Sequence, residues 1–124
     1  MTTDELKSRT KKFSIEIIDL VEKLPNAISA KAVANQIVRS GTSVGANYRA
    51  VCRARSDREF VSKMNIVLEE ADETVFWLEI IIVKKWIVES EIQDLLSEGN
   101  QLIAIFVSSL KTVNSRINGT KSKI

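Results

Sequence analysis

The stretch SDREFVSKMNIVLEEADETVFWLEIIIVKKWI, from Ser56 to Ile87, decides how the whole chain is read. At about 100° per residue, Phe60, Met64, Val67, Ala71, Val75, Leu78 and Ile82 fall along one side of an α-helix, a stripe wide enough to face a core. Ile66, Phe76, Trp77, Ile80, Val83 and Ile87 fall on the opposite side, mostly toward the C-terminal end. The opening Ser56-x-x-Glu59 has the form of a capping box, in which the serine hydroxyl accepts from the amide of Glu59 and the glutamate reaches back to the amide of Ser56. A helix over Ser56 to about Trp86 follows from these two signals, and it carries two apolar sides.

The same rhythm extends outward in both directions. Leu6, Phe13, Ile17, Leu20, Val21 and Leu24 recur at helical spacing over Asp4–Leu24, and Pro25 ends that helix because a proline disfavours the α conformation in the residue before it. Asn26 and Ser29 compete as N-caps for a second helix, read from about Ala30 to Ala54. Its stripe, Ala34, Ile37, Val38, Gly41, Val44, Gly45, Tyr48, Val51 and Cys52, keeps its period through both glycines. Each glycine costs roughly 1 kcal/mol against alanine in a helix interior, so their place on the stripe points to close approach of a neighbouring helix, with a local kink as the alternative. Ser90 and Gln93 repeat the capping arrangement ahead of a fourth helix with Ile92, Leu95, Leu96, Gly99, Leu102, Ile103, Phe106, Leu110, Val113 and Ile117. Asn118-Gly119 is its expected stop. Four helices with short connections imply an all-α, antiparallel, up-and-down four-helix bundle, one domain over residues 1–118 with a disordered basic tail over 119–124.

Composition narrows the function. The chain has 124 residues with one proline and four glycines, which suits long helices in a single domain. The N-terminal MTTDELKSRTKK carries no apolar leader, and Glu79 interrupts the longest apolar run, Val75–Val83, so no membrane span is expected and the cytoplasm is the expected compartment. The one cysteine, Cys52, suits a reducing compartment and reads as a buried structural thiol rather than a nucleophile, since no base accompanies it. The chain has no histidine, which removes the commonest general base and the Glu-x-x-His pairs of a di-metal bundle, so the acidic block Glu69, Glu70, Asp72, Glu73 does not read as a metal centre. Gly41–Gly45, GTSVG, lacks the lysine and the preceding strand of a phosphate loop. No enzyme, cofactor or small-molecule substrate is expected.

Two surfaces remain. A corner helix of a bundle buries one side only, so Ile66, Phe76, Trp77, Ile80, Val83 and Ile87, with Glu69 and Glu73 beside them, form an expected oligomer interface unless helix one or the tail folds over them. Lys31, Arg39, Arg49 and Arg53 project within about 80° of each other on helix two, and Arg55 and Arg58 continue the positive charge around the next turn. Such a cluster can neutralise the phosphates of RNA or DNA. The net charge of only +2 does not itself call for such a partner, and the acidic block offers the arginines a competing one.

The segment Gln36–Ile82 resembles the four-helix-bundle family first recognised as open reading frames in intervening sequences of bacterial 23S ribosomal RNA genes. The pattern falls on Gln36, Arg39, Ser40, Ser43, Ala46, Asn47, Arg55, Ser56, Glu59 and Phe60, then on Glu70, Ala71, Glu73, Thr74, Trp77, Leu78 and Glu79. Weaker likeness runs from about Phe13 to Ile117. Where many members have Ala-Glu-Gly after the Ala-Asn step, this chain has Tyr48, Arg49, Ala50 and Val51, which loses a carboxylate and gains an arginine. The resemblance implies a homopentameric ring of antiparallel bundles without established enzymatic activity, similar to basic barrels that accompany diversity-generating retroelements. Gln36, Ser40, Ser43 and Asn47 share an edge of helix two, where small polar groups can bond across helices. If Arg39 is buried, it needs a carboxylate such as Glu70 or Glu73. Two readings stand: a ring-forming, nucleic-acid-associated protein, or a scaffold whose charges serve subunit assembly.

Overall fold

A computed structural model describes the backbone of residues 1–122 and the side chains through Gly119. Four helices follow one another: α1 Thr3–Val21, α2 Ile28–Val51, α3 Asp57–Lys84 and α4 Glu89–Ser122. Each packs antiparallel on the next, and α4 returns beside α1 to close the bundle, which is the expected all-α up-and-down architecture. Phe13, Ile17, Ile37, Val44, Met64, Val67, Leu78, Ile81, Ile92, Leu102 and Phe106 are essentially inaccessible to solvent and form one core.

The glycines of α2 do mark a close approach. A Cβ on Gly41 would stand 2.7 Å from Cγ2 of Ile17, and one on Gly45 would stand 2.7 Å from Oγ of Ser14. Ser14 occupies the space so opened. Its buried hydroxyl donates to the Gly41 carbonyl at 2.7 Å and accepts from the Gly45 amide at 3.1 Å, so α1 grips one turn of α2 without leaving a polar atom unpaired. Gly99 plays the same part between α4 and α3, since a Cβ there would meet Val75 at 2.8 Å.

The fourth seam is different. Arg9 forks onto both carboxylate oxygens of Glu98, and Lys23 approaches Glu91 at 3.8 Å. Shallow recesses open along α1 and α4 between these pairs, with Phe13 on the floor of one. Hydrogen bonding to Glu98 raises the already high pKa of Arg9.

Several local expectations change. The N-cap of α2 is Ala27, with no side-chain cap, rather than Asn26 or Ser29; the adjacent Ile28 is 92% exposed, so water reaches the first turn's amides. At α3 the Ser56 hydroxyl accepts from the Glu59 amide at 3.1 Å as expected, but the Glu59 carboxylate turns to Lys63 at 3.0 Å. The second capping box is absent: α4 starts at Glu89, so Ser90 lies inside the first turn, and the Gln93 amide donates to the Glu89 carboxylate at 2.9 Å. The helix also continues through Asn118 and Gly119 to Ser122, because one exposed glycine costs only about 1 kcal/mol. Of the tail expected over 119–124, residues 123 and 124 lie outside the described residues.

Candidate functional site

The outer side of α3 is built by its length. A helix of 28 residues runs about 42 Å, far enough for its composition to change along one side while its inner stripe stays constant. The inner stripe is Met64, Val67, Ala71, Thr74, Val75, Leu78 and Ile81. Ile81 is fully buried and Ile82 only half-buried, which corrects the expected stripe by one residue: with three consecutive isoleucines, periodicity alone does not choose among them.

On the outer side Ile66 is 46%, Phe76 51% and Val83 74% exposed. Trp77 and Ile80 are half-buried beside them. Phe76 and Trp77 meet edge to face with ring centroids 4.9 Å apart, the favoured aromatic geometry, so the patch is a packed surface rather than scattered side chains. The α1 helix lies diagonally across the bundle and packs on α2 and α4 instead of covering this side. Ile87 does not belong here. Lys85 takes a left-handed conformation, with φ 58°, which turns the chain out of the helix and returns Ile87 to the core at 5% exposure.

The charges next to the patch are paired within the chain. The Arg39 guanidinium bonds Glu70 at 3.0 Å through Nη1 and Glu73 through Nη2. Trp77 Nε1 donates to the same Glu73 carboxylate at 3.1 Å. Hydrogen bonding by Arg39, then by Trp77, holds the Glu73 carboxyl below its ordinary value, and Glu73 in turn raises the pKa of Arg39. Arg39 is thus no free phosphate ligand. It is half exposed rather than buried, yet it has the carboxylates expected of it. Glu69 stays exposed.

The remaining cations divide into two places. Lys31 lies near the start of α2, about 27 Å along the helix from Arg49. Arg49, Arg53, Arg55 and Arg58 gather instead around the α2–α3 turn, all exposed. Only Arg55 among these four has a carboxylate within reach, Glu59 at 3.8 Å, considering the described residues. Close by, Arg116 forks onto Asp57 at 2.9 Å through both nitrogens, and that hydrogen bonding keeps the Asp57 carboxyl below its usual value. A recess of about 440 Å³ at this end is lined by Tyr48, Cys52, Arg55, Asp57, Phe60 and Arg116, among others. Cys52 is exposed there, not buried as expected, because α2 ends at Val51 and leaves it as the C-cap. Burial, and then the Cys52 side chain, pushes the Tyr48 hydroxyl up to about 12.

Of the polar edge of α2, only Ser40 bonds across helices. Its hydroxyl meets that of Thr74 at 2.9 Å in the buried α2–α3 seam. Ser43 and Asn47 turn back on their own helix, to the carbonyls of Arg39 and Ser43, and Gln36 is exposed.

A family model described as 23S rRNA-intervening sequence protein matches residues 4–108. The chain belongs to that family. The crystal structure of a protein of unknown function from the S23 ribosomal protein family of Bacteroides thetaiotaomicron is similar to it, with 33% sequence identity and a TM-score of 0.79 over 86% of this chain and 98% of that one. No curated protein matches. Within the intervening sequence family frame, Ser40, Glu70, Glu73 and Thr74 are engaged at the α2–α3 seam and Trp77 bonds Glu73 on its own helix, whereas the outer apolar side is exposed and Arg49, Arg53 and Arg58 have no ion-pair partner among the described residues.

One surface was missed in the sequence. Ile15 and Ile18 are 47% and 41% exposed on the outside of α1. They lie opposite Phe13, Ile17 and Leu20 at helical spacing, the same signal that exposed the second side of α3, but shorter by half and hidden among lysines.

Proposed function

We propose that this protein acts without catalysis, as a homo-oligomer whose subunits meet through the outer side of α3, and that the assembly binds RNA or DNA through the arginines of the α2–α3 turn. The observation that carries the first part is the exposure of Phe76 and Val83 around half-buried Trp77 and Ile80, with Ile66 exposed about 15 Å back along the helix. Large apolar side chains packed against one another in water favour a partner, and a second copy is the partner always present. No helix of the described residues is long and apolar enough to cross a membrane. Five subunits is the number that the family resemblance implies.

Nucleic-acid binding rests on the division of the cations. Arg39 is satisfied by Glu70 and Glu73, while Arg49, Arg53 and Arg58 face solvent without ion-pair partners among the described residues. Repetition of this turn in an oligomer multiplies the local positive charge, and phosphate contacts then add as released counterions. Replacing Arg49, Arg53, Arg55 and Arg58 with glutamate should abolish salt-dependent binding to a duplex or single strand while the oligomer persists. Absence of wild-type binding at low salt would remove this part and favour the alternative, a scaffold whose charges serve assembly alone. Loss of the oligomer in the quadruple variant would also favour the scaffold, because the arginines would then be interface residues.

A further inference from the structure

The geometry points to single-stranded nucleic acid as the ligand of the α2–α3 turn, with one unpaired base seated in the recess beside the arginines. This rests on the proposal that those arginines bind RNA or DNA, and it names the form of nucleic acid and the place that receives a base.

The recess at this end differs from the others in what lines it. In the two between α1 and α4 the cations are spoken for, Arg9 by Glu98, Lys12 by Glu16 and Lys23 by Glu91, and Asp19 and Asp94 add negative charge that repels a phosphate chain. A third, on α4, is lined by Gln93, Asn100, Gln101 and their neighbours, with neither an aromatic ring nor a cation. The recess at the turn joins two rings, Tyr48 and Phe60, to Arg55, and Arg49, Arg53 and Arg58 stand exposed on the same turn. Aromatic surface next to unpaired cations is the combination that single strands require, since bases stack and phosphates need neutralising.

The shape suits a base. About 440 Å³ lies in the range of small-ligand sites. Tyr48 is 4% exposed and stacks on Phe106 with ring centroids 6.2 Å apart, so the floor is fixed by the core. Phe60, one turn into α3, is only half-buried, which leaves part of its ring for a base to lie against. On the wall, Arg116 holds the Asp57 carboxylate through both oxygens at 2.9 Å and offsets its charge. An ionised carboxylate has about four acceptor positions, so Asp57 keeps capacity for N–H groups on the edge of a base.

The recess also decides between the two forms of nucleic acid. Arginines alone favour a duplex, whose denser phosphates release more counterions per contact. A recess for a base reverses that order. A paired base reaches it only by leaving its stack and its partner, which costs free energy that an unpaired base is spared. The phosphates on either side of the inserted base then meet the arginines around the turn.

The test is fluorescence anisotropy of a labelled oligothymidylate, alone and annealed to its complement, titrated at low salt with the wild-type chain. The expected result is tighter binding of the single strand. A duplex bound equally or more tightly overturns the base site while leaving the arginines as phosphate contacts, and binding of neither form overturns both. Phe60→Leu, checked for retained helix by circular dichroism, should lower the ratio of single-strand to duplex affinity about fivefold or more, because stacking on the ring is lost. An unchanged ratio overturns the seat on Phe60. Cys52, the one cysteine of the chain, lines the recess and reports on it without any substitution. Its reaction with a small aromatic disulfide should slow severalfold when the single strand saturates the protein, and less when the duplex does. Equal protection by the two forms, or none by either, overturns the placement of the base.

Discussion

The inner and outer sides of α3 are made from similar residues and have opposite fates. The inner side buries Met64, Val67, Ala71, Val75, Leu78 and Ile81 in the core, and its one buried polar side chain is matched, Thr74 with Ser40. The outer side is mostly polar in its first half, with Arg58, Ser62, Asn65 and Glu69 around a single exposed Ile66, then turns apolar at Phe76, Ile80 and Val83. Packing within the chain explains the first side completely. The second side changes character part-way along without any change in its intramolecular neighbours, so its composition answers to something outside the chain.

Substitutions should separate the two sides. Leu78→Ala removes a fully buried side chain and is expected to cost about 2–5 kcal/mol in denaturant unfolding, through lost transfer energy and the cavity left behind. Gly41→Val forces atoms into the space held by Ile17 and should cost about 1–3 kcal/mol, measured in the same way.

Acid should weaken the α2–α3 seam next. The folded pKa of Glu73 lies below its ordinary 4.5, so its stabilising contribution is complete above that value and disappears as pH falls through the folded value. Unfolding midpoints measured from neutral pH downward should therefore fall less steeply below about 4.5 in Glu73→Gln than in wild type. The smallest change in chain stability belongs to the outer side: Val83→Gln, at a position 74% exposed and measured dilute enough that no oligomer contributes, should stay within about 0.5 kcal/mol of wild type.

Much of this is legible in the sequence, and where the structure differs the reasons are physical. The four helices, the antiparallel bundle and the glycine contacts follow from spacing, because burial imposes a period on every helix. The stripe read from spacing takes Ile82 where Ile81 is the buried residue, because Ile80, Ile81 and Ile82 blur that period. Ile87 was misplaced because helical extrapolation ignores the left-handed Lys85, a conformation that lysine does not advertise. Arg39 was grouped with the phosphate ligands by its angle on α2, yet its reach to Glu70 and Glu73 depends on the register of α2 against α3. Cys52 followed the apolar stripe only until the helix ended one residue earlier.

The central claim is that the outer side of α3 is a contact between copies. Light scattering coupled to size exclusion on wild type and Phe76→Glu/Ile80→Glu tests it directly. Wild type should elute as a single species at a whole-number multiple of 13.9 kDa, and the variant at 13.9 kDa with unchanged helix content. A wild type that weighs 13.9 kDa at every concentration, or a variant that keeps the wild-type mass, would contradict it.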